Sequence, residues 1–226
     1  MNLYKNHTPR EIVAVLEHGD KLTYEAKLNL LDTIRNQSMD VSTEKLEEQI
    51  AQKEAAIANL ENLEELGFHY EENTTTGEIV VKRTSKAKIM DIISIVLGVL
   101  LSLVGLIAFW LLVAIFTGEN EFGLDKLFMY VLMITAGLVG FKMLSGIERF
   151  LDFNSFLLTK SGDEVTIKKG GLSGAQTYLS SQLGIEEEEG ELVFHIDDIE
   201  FIRANQDNLV QRRTLETLLL KMTANR

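Results

Sequence analysis

Histidine and carboxylate side chains are the first candidates for chemistry in this chain. The histidines fall at His7, His18, His69 and His195. They form no His-x-His or His-Glu-x-x-His pattern, so the sequence indicates no histidine metal centre. His195 has the acids Asp197 and Asp198 close by, and strand alternation would put His195 and Asp197 on one face. No nucleophile is marked beside them, and we interpret the cluster as a polar strand edge.

Other catalytic signatures are missing from the sequence. There is no Gly-x-Ser-x-Gly elbow, no Walker loop and no cysteine. The acid run Glu186–Glu189 lacks the spaced oxygens and internal glycine of a calcium loop, which favours a solvated loop. We therefore expect no catalytic residue, no cofactor and no metal ion. A membrane-bound enzyme with an unmarked site stays an alternative, because catalytic groups often meet only in space.

The charge balance argues against nucleic acid as a partner. The net charge is −12, and residues 1–88 and residues 151–226 each carry −5. A nucleic-acid footprint needs a basic patch or stripe, and no extended one is present.

Two apolar stretches predict a transmembrane hairpin over residues 89–150. The first span is Ile92–Phe116, 25 residues without a charge, and the second is about Leu127 to Ile147. Lys142 lies near the end of the second span, where its ammonium would reach the interface. Thr117–Asp125 has three acids and no basic residue, whereas basic residues precede the first span. These topology-setting residues are Lys82, Arg83, Lys86 and Lys88. The positive-inside rule then places both termini in the cytoplasm, and we expect a bacterial cytoplasmic (inner) membrane.

Small residues recur along both predicted spans. Such faces let helix backbones approach closely. Packing of the two spans against each other and oligomerisation of several copies are both open at this point. The residues concerned are Ser94, Gly98, Ser102 and Gly105 in the first span, and Ala136, Gly137 and Gly140 in the second.

Residues 1–88 predict a helical domain. Thr8, Pro9 and Glu11 make a capping box that starts a first helix, Thr23 caps a second, and a third runs from Ser42 to about Leu66. A short hairpin follows over residues 68–82. The third helix has a heptad-like seam. A helix packed on its neighbours and an intermolecular coiled coil both fit this seam, which consists of Leu46, Ile50, Ile57 and Leu60.

Residues 151–226 predict a small mixed α/β domain. Phe156–Thr159 and Val165–Lys168 indicate a second hairpin, Gly170–Gly184 a loop, and Asp207 the cap of a last helix. Further strands are expected at 192–196 and 199–202. A membrane hairpin, short strands, the Asp197–Asp198–Ile199 step and a final helix resemble the bacterial pleckstrin-homology-like membrane proteins over about 154–222. That resemblance implies a binding or assembly module.

Taken together, the sequence predicts an α+β integral membrane protein with a two-helix transmembrane hairpin between two cytoplasmic domains. The hypothesis it favours is a non-catalytic, membrane-anchored accessory or scaffold subunit. Its partners would be the lipid bilayer and either other proteins or further copies of itself. The alternative is a homo-oligomeric channel or membrane-permeabilising protein, in which the face of Ser94, Gly98 and Ser102 would line or seal the pore.

Overall fold

The computed structural model describes residues 3–118, 123–170 and 174–224. The acids Glu119 and Glu121, which helped to predict the topology, lie outside these residues. The chain divides into two compact units. The larger unit comprises Met1–Ile79, Lys160–Val165 and Tyr178–Arg226, and the hairpin unit comprises Val80–Thr159 and Thr166–Thr177.

Three helices begin the larger unit, as the sequence predicted: α1 Pro9–Glu17, α2 Tyr24–Asn36 and α3 Glu44–Ala58. The capping box between Thr8 and Glu11 is present, and the Thr23 side chain caps α2. The helices bury a common apolar core whose members include Ile12, Leu30, Ile34, Leu46, Ile50 and Ile57.

The predicted continuation of α3 to Leu66 is wrong. Leu60 takes a left-handed backbone (φ 61°), and a 3-10 turn over Glu61–Leu66 follows. A continuous helix would have carried the Glu64 carboxylate onto the buried face of Ile57 and Leu60. The break instead buries Leu63 and leaves Glu64 exposed.

Two sheets contain the eight strands of the described residues. The five-stranded sheet has its strands in chain order, and the three-stranded sheet continues that order. Both predicted hairpins, β1 with β2 and β3 with β4, are confirmed. The strands are β1 Phe68–Glu72, β2 Ile79–Arg83, β3 Leu157–Ser161, β4 Glu164–Lys168, β5 Gln176–Leu179, β6 Leu183–Glu188, β7 Glu191–Ile196 and β8 Ile199–Asn205.

Strands β5 and β6 overturn two loop predictions. One was for 170–184, of which residues 171–173 lie outside the described part of the chain, and the other was for Glu186–Glu189. Antiparallel pairing joins β6 to β7 from Leu183↔Ile196 to Glu188↔Glu191, so three of the four acids lie in a strand. The two residues between the strands, Glu189 and Gly190, both have positive φ. That backbone is typical of a type I′ hairpin turn.

Helix α7, Leu209–Thr223, completes the larger unit and contacts β6 and β8. Asn208 caps it rather than the predicted Asp207: the Asn208 Oδ1 accepts the N–H groups of Val210 and Gln211. The apolar face of α7 is buried, including Leu215, Leu218 and Met222.

The hairpin unit is built on two long apolar helices. Helix α4 is Ser85–Phe116 and helix α5 is Leu124–Met143. The most apolar 18-residue windows of Ser85–Phe116 and Leu124–Phe153 are only 17% and 11% buried, and both stretches are long and apolar enough to cross a membrane. Helix α5 ends at Met143 and a separate helix α6, Gly146–Phe153, follows. The second stretch that is long and apolar enough to cross a membrane runs over both helices, Leu124–Phe153, and includes the predicted span to Ile147.

Candidate functional site

Glycines form the contact face between α4 and α5. A Cβ built on Gly105 would lie 2.5 Å from the Cα of Gly137, and one built on Gly140 would lie 2.8 Å from the carbonyl oxygen of Gly98. Real Cβ atoms do not approach so closely, so the two backbones touch where side chains would keep them apart. All four glycines are buried.

The other small residues of the predicted packing face lie beside this contact. Ser94, Ser102 and Ala136 are half-buried. The backbone N–H of Ser102 is 2.7 Å from a Cβ built on Gly140, so Ser102 belongs to the same contact. Gly137, three residues before Gly140, belongs to this contact as well. The face therefore packs one helix of the chain against the other.

Outside this face, α4 and α5 present apolar side chains. Leu100, Ile107 and Trp110 are more than half exposed, as are Leu132 and Leu138. Monomeric globular proteins rarely expose contiguous apolar patches of this kind. Two long helices with such exposed apolar faces are consistent with a membrane hairpin.

A buried ion pair lies where β2 leads into α4. The Nη2 of Arg83 donates to Asp91 at 2.9 Å, and the two side chains are 2% and 14% exposed. Burial lowers the pKa of Arg83, and the hydrogen bond to Asp91 opposes that shift. Arg83 was predicted only as a topology-setting charge; the structure gives it a defined carboxylate partner.

Helix α6 carries an aromatic ring between two cations. The Arg83 guanidinium lies 5.7 Å from the centroid of the Phe153 ring, and the Lys169 ammonium lies 5.3 Å from it. Lys169 also pairs with Asp152 at 3.2 Å. Cation–π contacts of this kind contribute roughly 0.5–2 kcal/mol. Sequence reasoning missed this cluster because its members are up to 86 positions apart.

The other topology-setting lysines are placed near the start of α4. Lys86 is exposed and Lys88 is half-buried in the first turns of that helix, and Lys82 is exposed in β2. Lys142 is exposed in the last turn of α5.

The predicted seam of α3 lies inside the larger unit. Leu46, Ile50, Ile57 and Leu60 are between 1% and 6% exposed. Their heptad-like spacing serves the core of this chain, the arrangement expected of a helix packed on its neighbours.

His195 belongs to a cross-strand contact. Strand β7 lies between β6 and β8, so the predicted strand edge is wrong. The His195 ring covers Gly184 on β6, and its Nδ1 is 3.0 Å from the main-chain oxygen of Asp197 rather than from a carboxylate. Its Nε2 is 3.7 Å from Glu186. For His195 to act as a base with an orienting acid, a carboxylate side chain would have to contact its Nδ1.

Arginines from elsewhere in the larger unit meet the acid run. Arg203 pairs with Glu188 at 2.9 Å, Glu191 at 3.2 Å and Glu200, and these carboxylates raise its pKa. Arg212 pairs with Glu187 at 2.9 Å. Among the residues that the structure describes, no group of three or more acids and histidines could hold a metal ion.

A cavity of about 260 Å³ in the larger unit contains two lysines. Lys221 pairs with Glu72 at 3.2 Å, and Lys160, itself buried, donates to the carbonyl oxygen of Ala224 at 2.6 Å. Both ammonium groups thus hold the end of α7 in place.

Comparison with known proteins gives no relative for this chain: no protein-family model, no curated protein and no solved structure matches it.

Proposed function

We propose that this protein is a non-catalytic, membrane-anchored accessory or scaffold subunit. In this proposal α4 and α5 cross a bilayer as a hairpin. The larger unit then stands on one side of it and assembles with protein partners or with further copies of the chain. The observation that carries the proposal is that the chain before the hairpin and the chain after it fold into one compact unit.

That single unit constrains the number of membrane crossings. Tyr24 of α2 accepts a hydrogen bond from Arg213 of α7 at 2.6 Å, and Lys221 pairs with Glu72. A bilayer cannot divide a compact unit, so the chain between Ile79 and Tyr178 must cross an even number of times. Two apolar helices in that interval satisfy this requirement.

The hairpin suits an anchor better than a pore. The face of Ser94, Gly98 and Ser102, which the channel alternative needs, is covered by α5 of the same chain. The remaining faces are apolar and carry no row of polar side chains for an ion to follow. A pore would require the hairpin to open and re-pack with other copies.

The larger unit has the charge of a docking module for basic partners. It contains 13 basic and 28 acidic residues, a net charge of −15, whereas the hairpin unit has 9 and 6, a net charge of +3. Complementary potentials speed association and select partners. Exposed apolar side chains at Leu179 and Leu220 supply contact area of the kind found in protein interfaces.

The test is the composition of the particle that a mild detergent releases from native membranes. Native mass spectrometry should find foreign subunits at fixed stoichiometry or a defined oligomer of this chain. A lone monomer under several mild detergents contradicts the proposal. A ring of this chain that conducts ions after reconstitution contradicts it too, and favours the channel.

Charge variants identify the surface involved. A triple variant removes three exposed acids of the larger unit, through Glu17→Gln, Asp32→Asn and Glu44→Gln. We expect partners to be retained less well at moderate salt. The matched control removes three exposed cations of the same unit through K5Q, R10Q and K21Q, and should leave retention unchanged or improved.

A further inference from the structure

Basic side chains are concentrated at one end of the hairpin unit. Apart from residues 117–126 at the tip of the hairpin, this unit has eight basic and three acidic residues. Two of those three acids, Asp91 and Asp152, already pair with Arg83 and Lys169. Five further cations, which we call the basic collar, lie in the first turns of α4, the last turn of α5, α6 and the end of β4. They are Lys86, Lys88, Lys142, Arg149 and Lys168.

Among the described residues, no carboxylate pairs with the basic collar. Within the part of the chain that the structure describes, Lys86, Lys142, Arg149 and Lys168 have no carboxylate oxygen within 4.0 Å, and all four are exposed. Arg149 is close enough to Arg83 to oppose its charge. Like charges gathered in this way repel one another unless counterions or an anionic partner neutralise them.

The lengths of the helices place the collar at the depth of lipid headgroups. Helix α4 has 32 residues, about 48 Å at 1.5 Å per residue, whereas the hydrocarbon layer is about 30 Å thick. Its uncharged stretch begins only at Ile92, so the turns that carry Lys86 and Lys88 extend beyond the hydrocarbon. The headgroup layer on each side adds several ångströms, which those turns would span.

Helix α6 has the character of an interfacial helix. It follows α5 directly after a two-residue turn and contacts α4. Leu151 is 62% exposed and Ile147 39% exposed, while Glu148, Arg149 and Asp152 make the polar side. A short amphipathic helix that leaves a leucine uncovered beside a cation suits the boundary between headgroups and acyl chains.

We infer that the basic collar is a binding surface for anionic phospholipid headgroups of the leaflet at which α4 begins. The cations would contact the phosphates, and Ile147 and Leu151 would enter the acyl boundary. This inference rests on the membrane location in the proposed function, but not on the accessory role.

The experiment uses the full chain reconstituted in mixed bilayers of phosphatidylcholine and phosphatidylglycerol. Electron paramagnetic resonance of spin-labelled lipids gives the association constant of each lipid with the protein. Each surface cation contributes about 1 kcal/mol with an anionic leaflet, which is roughly a fivefold preference. We expect phosphatidylglycerol to be preferred about fivefold. Substitution of Lys86, Lys142 and Arg149 together by Gln should clearly lower the ratio, because only Lys88 and Lys168 of the collar remain.

Two controls keep the test specific. The triple variant K5Q, R10Q and K21Q removes the same charge from the larger unit and should keep the wild-type ratio. Arg149→Gln alone leaves the lysines in the first turns of α4 intact, so the orientation of the hairpin is preserved, and this variant should lower the ratio in part. A wild-type ratio near one, an unchanged ratio in the collar variants, or an equal fall in the control overturns the inference.

Added inorganic phosphate separates a lipid surface from a site for soluble anions. At matched ionic strength, phosphate and chloride should reduce the preference equally, because a leaflet acts through its charge. A stronger effect of phosphate would mean that the collar selects a soluble phosphate, and would overturn the lipid assignment. A complex with foreign subunits but no lipid preference refutes only this inference. A lone monomer with the preference refutes only the accessory role.

Discussion

At the scale of single residues, the hairpin depends on positions that have no side chain. Gly105 and Gly137 face each other so closely that a Cβ on either would lie 2.5–2.6 Å from the Cα of the other. Flexible atoms can move away from such a contact, but a backbone cannot. The small-residue pattern of the sequence therefore indicates the positions at which α4 and α5 contact each other.

Gly105→Ala should loosen the hairpin for this reason. Forcing an extra methyl group into a closed contact costs about 1–3 kcal/mol. We expect the variant to lose helix contact at a lower mole fraction of sodium dodecyl sulfate, followed by circular dichroism and by fluorescence of Trp110, the single tryptophan.

The matched control is Gly146→Ala. A Cβ at this position would meet only the Cγ1 of Ile95, at 4.0 Å, which is ordinary contact. Alanine also favours a helix over glycine by about 1 kcal/mol. The control should lose helix contact at a mole fraction of sodium dodecyl sulfate equal to or above the wild-type midpoint. Equal midpoints for G105A and G146A would show that the close approach has no energetic consequence.

At the scale of elements, the β6–β7 hairpin contains a residue in an unfavourable backbone. Glu189 has φ 50° and Gly190 has φ 85°. A left-handed backbone costs a residue with a side chain about 1–2 kcal/mol, and asparagine accepts it more readily than glutamate. Glu189 is also flanked by acids in both strands.

Glu189→Asn should therefore stabilise the larger unit, by about 0.5–1 kcal/mol. Gly190→Ala should destabilise it by about 1–2 kcal/mol, because it places a Cβ in the same region of φ. Protection of the β6 and β7 amides from hydrogen exchange measures both effects in the folded protein. If Gly190→Ala gave the more stable protein and Glu189→Asn the less stable one, a type I′ turn would be excluded here.

Local signals explain which elements the sequence predicted. The capping box at Thr8, the apolar run from Ile92 and the turn residues of both early hairpins each act within a few residues. Strand β6 escaped prediction because its acids are neutralised by Arg203 and Arg212, which are far away in sequence. Helix α6 was not predicted because its polar residues resemble those at the end of a membrane span. The end of α3 was predicted wrongly because it depends on which side chains reach the core.

At the scale of the whole molecule, the pairing of the chain's two ends was beyond sequence reasoning. The contact between Tyr24 and Arg213 joins residues 189 positions apart, and no local sequence pattern at either residue indicates the pairing. Composition did reveal that both ends are acidic, and the structure combines them into one unit. The cytoplasmic location of that unit stays a prediction from the positive-inside rule.

Single cysteines test this topology, since the chain has none of its own. Asp40→Cys and Asp207→Cys label the two parts of the larger unit, and Thr117→Cys labels the end of α4; all three positions are exposed. A maleimide that cannot cross membranes should react with Thr117→Cys in right-side-out vesicles. It should react with Asp40→Cys and Asp207→Cys only in inside-out vesicles, because one compact unit cannot lie on both sides.

The pattern of reactivity separates three arrangements. Reaction of all three cysteines from the cytoplasmic face would mean that α4 and α5 do not span the bilayer, and the anchor and the lipid surface would both be refuted. Reaction of Asp40→Cys and Asp207→Cys from opposite faces would contradict the compact unit itself. Reaction of both from the outer face would keep the hairpin but reverse it. The basic collar would then have failed to orient the chain, although Lys86 and Lys88 lie in the first turns of α4 and favour the cytoplasmic side.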